Sequence, residues 1–88
     1  MKENKLSEAD QFYQLALGVA IKIYGNKSLF IADIYLSRSK HHLAHNKMQE
    51  ALKDLNLAME IYKANSKNSL RTADALNVQA QIYLAESS

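Results

Sequence analysis

The sequence predicts an all-α fold, and three observations support this prediction. The 88 residues include no proline and only two glycines, so turn chemistry is scarce and a few long helices are favoured over many short strands. Apolar residues recur at steps of three and four, the spacing that places them on one stripe of an α-helix. Hydrophobic residues make up 48% and charged residues 23% of the chain, as in ordinary globular domains. We therefore expect residues 1–88 to form a single helical domain.

The first predicted helix covers residues 8–24. Ser7 precedes it and Asp10 follows three residues later, a spacing that suits N-terminal capping. The apolar stripe of this helix is wide, which indicates packing against more than one neighbour. Gly18 lies in mid-helix, where the absence of a side chain would let a second helix approach closely. Gly25 predicts a left-handed C-terminal cap.

The second and third predicted helices cover residues 28–44 and 46–64. The second half of the 28–44 helix is polar, so we expect it to face either solvent or a partner. The 46–64 helix has the clearest apolar pattern of the chain, and Asn46 and Gln49 are spaced to cap its start. Its stripe comprises Met48, Ala51, Leu52, Leu55, Ala58, Met59 and Tyr62.

The fourth predicted helix covers residues 69–85 and follows a polar loop at residues 65–68. Four helices with short connections should pack as antiparallel neighbours. This helix carries one apolar set. The set comprises Leu70, Ala73, Leu76, Ala80, Tyr83 and Leu84.

The four predicted helices form an internal repeat of a helix pair. Residues 20–24, which read A-I-K-I-Y, match residues 58–62, which read A-M-E-I-Y, at an offset of 38. Residues 32–33 match residues 73–74, both A-D, at an offset of 41. The first helix therefore corresponds to the third and the second helix to the fourth, with a connector of variable length between them.

The helix pair also carries a recognisable pattern of small and large residues. Its second helix starts with alanine and leucine at Ala51, followed by a large apolar residue at Leu55 and by Ala58. Twelve residues before Ala51 stands the small residue Ser39, and the equivalent position in the next unit is Ala80. This pattern resembles the tetratricopeptide repeat, in which small residues let the two helices of a unit approach closely.

The resemblance extends to the longer subtype of this repeat. Residues 76–83 read L-N-V-Q-A-Q-I-Y and look like the L-N-N-L-A-x-L-Y segment of the repeats in kinesin light chains. The chain departs from the family at Arg38 and Gln79, where leucine is usual, and at His42, where an aromatic residue is usual. The resemblance implies a four-helix fragment of a right-handed solenoid that binds a protein or peptide on its concave surface and has no enzymatic activity.

The resemblance further implies which residues line the concave groove, namely inward-facing residues of the second and fourth helices. A lysine and two amides there could hydrogen-bond to an extended peptide, although a solvated helix face explains Lys40, Asn77 and Gln81 equally well. The predicted partner-binding residues are Asp33, Leu36, Lys40, Leu43, Asp74, Asn77 and Gln81.

A metal site is an alternative that the histidines raise. His41 and His45 lie four residues apart, so they share one face of a helix. No third ligand is evident, and a zinc-protease motif would need glutamate where His42 stands. The sequence also contains no nucleophile motif and no Gly-rich phosphate loop. We therefore expect no metal, no cofactor and no enzymatic activity.

Composition limits the partners and the location. The net charge is only +2 and charges of both signs are interspersed, a pattern unlike the basic stripe of a nucleic-acid binder. The longest apolar run, residues 15–21, is too short to span a membrane, and the absence of cysteine fits a reducing compartment such as the cytoplasm. The alternative to a peptide-binding scaffold is self-assembly into a homo-oligomer, because fewer than three complete repeats leave apolar flanks that another copy could cover.

Overall fold

The computed structural model describes residues 2–65 and 69–87, with side chains described for residues 8–65 and 70–87. Within these residues the chain forms four α-helices and no strand, which confirms the all-α prediction. Residues 66–68 of the predicted loop lie outside the described part. The helices are α1 (Lys2–Tyr24), α2 (Leu29–Ala44), α3 (Met48–Ala64) and α4 (Ser69–Ser87).

The helices pack in chain order. Within the described residues, α1 packs against α2 alone, α2 packs against α3, and α3 packs against α4, while α2 also touches α4. The larger core cluster joins α2, α3 and α4, and the smaller one joins α1 to α2. Tyr35 and Ile61 pack against both clusters, so the core is continuous along the row of helices.

Three predictions about the ends and the middle of α1 have different outcomes. Gly25 has a φ of 81°, and its N–H donates to the carbonyl of Ile21 at 2.9 Å, which confirms the predicted cap. The predicted close approach at Gly18 is wrong: a Cβ added there would meet nothing within 4 Å. The capping role of Ser7 is also wrong, because α1 begins earlier, at Lys2, and Ser7 lies inside the helix.

The start of α2 is capped by a side chain, whereas the start of α3 has no side-chain cap. The Ser28 hydroxyl accepts a hydrogen bond from the N–H of Ile31 at 3.4 Å. Asn46, predicted to cap α3, instead has a φ of 61° and ends α2. The N–H of Lys47 donates to the carbonyl of His42 at 2.8 Å, the bond that closes a left-handed helix terminus. Asparagine tolerates this conformation better than most residues, so it serves the helix that precedes it.

The buried face of α3 is the one that its apolar stripe predicts. Ala51, Leu55, Ala58 and Tyr62 are each at most 1% exposed, and they recur at steps of three and four. They contact helices on two sides, α2 and α4, and belong to the larger core cluster. This helix therefore occupies the centre of the described fold.

The apolar set named for α4 is not its buried face. Ala75, Val78 and Ile82 face the core instead. All six residues of the predicted set are exposed, and we call them the outer face of α4: Leu70, Ala73, Leu76, Ala80, Tyr83 and Leu84.

The internal repeat explains this exposure. At the offset of 41, the outer face of α4 corresponds to residues of α2 that are all buried or half-buried. These residues are Leu29, Ala32, Tyr35, Ser39, His42 and Leu43. In α2 this side is covered by α3, whereas α4 is the last helix of the described residues. The apolar pattern of α4 thus suits a helix with a further neighbour.

A buried polar cluster joins α1, α2 and α3. Arg38 donates two hydrogen bonds to the carboxylate of Asp54, through Nε and Nη2, both at 2.8 Å. Nε2 of His42 lies 3.5 Å from Asp54 and 3.7 Å from Asp10 of α1. The hydrogen bonds to Asp54 raise the pKa of Arg38. Arg38 and His42 of α2 are therefore both directed at one carboxylate of α3.

Candidate partner-binding groove

The residues predicted to bind a partner are divided between core and surface. Leu36 is 5% exposed and belongs to the core, and Leu43 packs against the same cluster. Leu36 therefore contributes to the core that joins α2, α3 and α4. Asn77 and Gln81 are exposed on α4.

The charged members of the predicted set form ion pairs between helices. Nζ of Lys40 donates to Asp74 at 3.0 Å, which links α2 to α4. Asp33 accepts a hydrogen bond from the Tyr62 hydroxyl at 2.6 Å and another from Nε of Arg71 at 3.0 Å. Burial raises the pKa of Tyr62, and the hydrogen bond to Asp33 raises it further. A peptide lying along α2 and α4 would compete with these contacts.

A groove with a volume of 480 Å³ runs between α1 and α2. We call it the open groove. Its lining consists of Tyr13, Ala16, Ala20 and Tyr24 from α1 and of Phe30, Asp33, Ile34 and Ser37 from α2. Sequence reasoning identified only Asp33 of these residues as a site residue. The signal for the rest was the wide apolar stripe of α1, which indicated more than one neighbour.

The open groove is lined mainly by aromatic and apolar side chains, and we call its two alanines, Ala16 and Ala20, the floor. The rings of Tyr24 and Phe30 lie 4.8 Å apart between centroids at one end. Ala16 and Ala20 supply small side chains on the α1 side, and Asp33 places a carboxylate at the α2 side. Small residues in a floor allow a second backbone to approach closely, so this surface suits a helix that presents small and aliphatic side chains.

The internal repeat identifies a second groove that is equivalent to the open one. The offset of 38 moves the α1 lining onto α3, and the offset of 41 moves the α2 lining onto α4. The resulting residues are Ala51, Asp54, Ala58 and Tyr62 of α3 and Arg71, Asp74, Ala75 and Val78 of α4. We call this the occupied groove, because α2 lies in it.

The α3 side of the occupied groove holds α2 through polar and close-packed contacts. The Ser39 hydroxyl of α2 donates to the carbonyl of Ala51 at 2.6 Å in a buried position. Asp54 accepts from Arg38, and Tyr62 donates to Asp33, both partners lying on α2. Ala58 shares the core cluster with Ala32 and Leu36 of α2.

The α4 side of the occupied groove holds α2 in the same manner. Asp74 pairs with Lys40, and Arg71 pairs with Asp33. Ala75 and Val78 are buried in the cluster that contains Ala32 and Leu36. Every residue equivalent to the lining of the open groove thus contacts α2 or shares its core cluster.

A second pocket, with a volume of 430 Å³, lies between the α1–α2 connector and the C-terminal half of α3. Lys27, Leu57 and Glu60 are among its lining residues. It contains none of the residues predicted to bind a partner.

His41 and His45 lie close together at the end of α2, but among the described side chains they do not assemble a metal site. The rings of His41 and His45 lie 4.5 Å apart, and Nδ1 of His45 is 3.0 Å from the carbonyl oxygen of His41. Burial lowers the pKa of His41, and the neighbouring His45 lowers it further. Among the side chains described, no group of three or more potential ligands is arranged to hold a metal ion.

No helix in the described part of the chain combines the length and apolar character needed to cross a bilayer. No protein-family model, no curated protein and no solved structure matches this chain.

Proposed function

We propose that this protein is a protein–protein interaction module whose open groove binds an amphipathic helix of a partner. The observation that carries the proposal is the equivalence of the two grooves, one of which is occupied by α2. A groove built from the same repeat positions, with aromatic walls and an alanine floor, suits the same kind of occupant. The resemblance of the helix pair to tetratricopeptide repeats supports an interaction role.

The chemistry of the groove defines the partner helix. Along the side that faces α3, α2 presents small residues, Ala32 and Ser39, between larger apolar ones. A helix with the same alternation would fit over Ala16 and Ala20, with aliphatic or aromatic side chains against Tyr13 and Tyr24. Recognition of this kind uses anchors at steps of three and four on one helix face.

We further predict that the helices form a right-handed solenoid and that the protein is cytoplasmic. We also predict no enzymatic activity, no cofactor and no nucleic-acid partner. The partner-binding face predicted along α2 and α4 includes Asn77 and Gln81. It would adjoin the open groove at Asp33, which belongs to both surfaces.

The proposal is tested by selecting helical peptides that bind the protein. The library varies small and aliphatic residues along one stripe of a helix, and selected peptides are titrated into isotope-labelled protein. We expect the largest chemical-shift changes at Ala16, Ala20 and Ile34. Ala16→Arg fills the floor of the groove and should weaken binding at least tenfold.

The matched control is Gln11→Arg, which adds the same side chain to an exposed position of α1 outside the groove lining. It should leave the affinity within twofold of the wild-type value. Peptides that bind Ala16→Arg and wild-type protein equally well would show that the groove is not the binding site.

A further inference from the structure

The internal repeat also indicates what kind of helix fits the open groove. One helix of the chain, α4, is of this kind. We infer that α4 of a second copy docks in the open groove, so that copies assemble head to tail. This inference rests on the proposed function of the groove and names its partner. It follows from the equivalence of α4 to α2, the helix that fills the occupied groove.

The outer face of α4 has the residues that such docking requires. It is equivalent to the side of α2 that packs on α3, and its large side chains are exposed, with Leu84 at 70% and Tyr83 at 65%. The open groove is exposed at the matching place, where Tyr24 is 54% exposed. Two complementary apolar surfaces therefore lie at opposite ends of the row of helices, on α1 and on α4.

Individual contacts of the inner interface have counterparts at the inferred junction. The hydrogen bond from Tyr62 to Asp33 corresponds to one from Tyr24 of one copy to Asp74 of the next. The close contact of Ser39 with the backbone of Ala51 corresponds to a contact of Ala80 with the backbone of Tyr13. Ala80 is as small as the position requires, so the helices can approach to the same distance.

The inferred junction lacks the strongest polar contact of the inner interface. The pair of Arg38 with Asp54 corresponds to Gln79 and Ala16, which cannot form an ion pair. Lys40 and Asp74 correspond to Gln81 and Asp33, which leaves at most an amide donating to a carboxylate. The junction is therefore mainly apolar and weaker than the inner interface, and assembly should be reversible and depend on protein concentration.

The symmetry of the contact sets the form of the assembly. The groove on α1 and α2 and the outer face of α4 are different surfaces, so the contact is heterologous. Such contacts propagate into rings or open chains rather than stopping at a two-fold dimer. Each end of one molecule can be blocked separately, which makes the inference directly testable.

The test measures mass by light scattering coupled to size exclusion over a range of concentrations. Ala16→Arg blocks the groove and Ala80→Arg blocks the outer face of α4. Both alanines are exposed, so the folded chain should be retained, which circular dichroism checks. Wild-type protein should exceed the mass of a dimer at high concentration, and each variant alone should remain at 9.9 kDa.

An equimolar mixture of the two variants should form a species of two chains and grow no further. The Ala80→Arg chain supplies the only functional groove and the Ala16→Arg chain supplies the only functional outer face. Gln11→Arg should assemble like wild-type protein. A wild-type mass that stays at 9.9 kDa at every concentration would overturn the inference. Assembly of either blocked variant to the wild-type extent would also overturn it.

Failure of this inference is distinguishable from failure of the proposed function. Monomeric wild-type protein that still binds selected helical peptides, with Ala16→Arg abolishing that binding, would remove the second copy as partner and leave the groove as a helix-binding site. A monomer whose groove binds no helical peptide would overturn both.

Discussion

Asp54 is a buried carboxylate that links α2 to α3 through Arg38. The side chains of Arg38 and Asp54 are 15% and 4% exposed, so the pair is largely removed from water. Burying two charges costs desolvation energy that their attraction only partly offsets, whereas removing one partner leaves the other charge uncompensated. We therefore expect the pair to fix how α2 sits on α3 more than it adds to the stability of the protein.

We predict that Asp54→Ala lowers the free energy of unfolding by about 3 kcal/mol, because Arg38 keeps its charge without its acceptor. Replacing both residues by leucine should restore stability to within about 1 kcal/mol of wild type. Urea denaturation in the Ala16→Arg background, which is designed to prevent the inferred assembly, measures both values. A double variant as unstable as Asp54→Ala would contradict this interpretation of the pair.

A second prediction concerns Tyr62, whose hydroxyl donates to Asp33. Tyr62→Phe should cost about 1 kcal/mol at pH 7, the typical value of one hydrogen bond. Burial raises the pKa of Tyr62 in the folded protein, while in the unfolded chain tyrosine ionises near pH 10. The stability due to protonated Tyr62 is therefore complete below pH 10 and is lost as the pH rises above it.

The measurement for Tyr62 is the free energy of unfolding at pH 7, 9.5 and 10.5. The wild-type value should fall more steeply above pH 10 than the Tyr62→Phe value, so that the two converge. Parallel pH profiles would show that Tyr62 ionises alike in both states.

At the scale of whole helices, apolar periodicity predicts where helices form more reliably than it predicts which of their faces are buried. The stripe of α3 was assigned correctly because α3 is covered on two sides within the chain. The apolar set of α4 is exposed because it suits a neighbour that the described residues do not supply. Apolar periodicity indicates which face of a helix is suited to contact another helix. Which residues are buried depends on the neighbouring helices that are present.

The ends of helices depended on conformations that residue type alone leaves open. Asn46 can accept a capping hydrogen bond or adopt a left-handed conformation, and the sequence favoured the first while the fold uses the second. Gly25 offered no such choice, because glycine lacks the side chain needed for N-terminal capping. Its role at the end of α1 could therefore be predicted.

The two glycines provide a matched pair of predictions for α1. An added Cβ meets nothing within 4 Å at either position, so backbone conformation alone decides the effect. Gly18→Ala should raise the free energy of unfolding by about 0.5–1 kcal/mol, because alanine is the better helix former. Gly25→Ala should lower it by about 1 kcal/mol, because a φ of 81° strains an L-residue. Chemical denaturation of the two variants checks this, and shifts in the same direction would contradict it.

At the scale of the molecule, the chain is a row of helices with related but different surfaces at its two ends. The row followed from the repeat offsets, which could be counted in the sequence. The open groove could not be predicted as a site, because six of its eight lining residues are ordinary apolar or aromatic side chains that look like core. The groove can be recognised as a candidate site only from the structure, in which α1 has one neighbouring helix within the described residues.

The central claim is that the two ends are complementary because the open groove and the occupied groove are equivalent. Thiol crosslinking tests this most directly, since the chain contains no cysteine of its own. Ser39 contacts the backbone of Ala51 inside one molecule, so Ala80→Cys in one copy should lie beside Tyr13→Cys in the next. We predict that a redox-equilibrated mixture of these two variants forms mixed disulfides well above the half expected for random pairing. Replacing the Tyr13→Cys partner by Gln11→Cys should give only the random fraction, and equal crosslinking at both positions would contradict the claim.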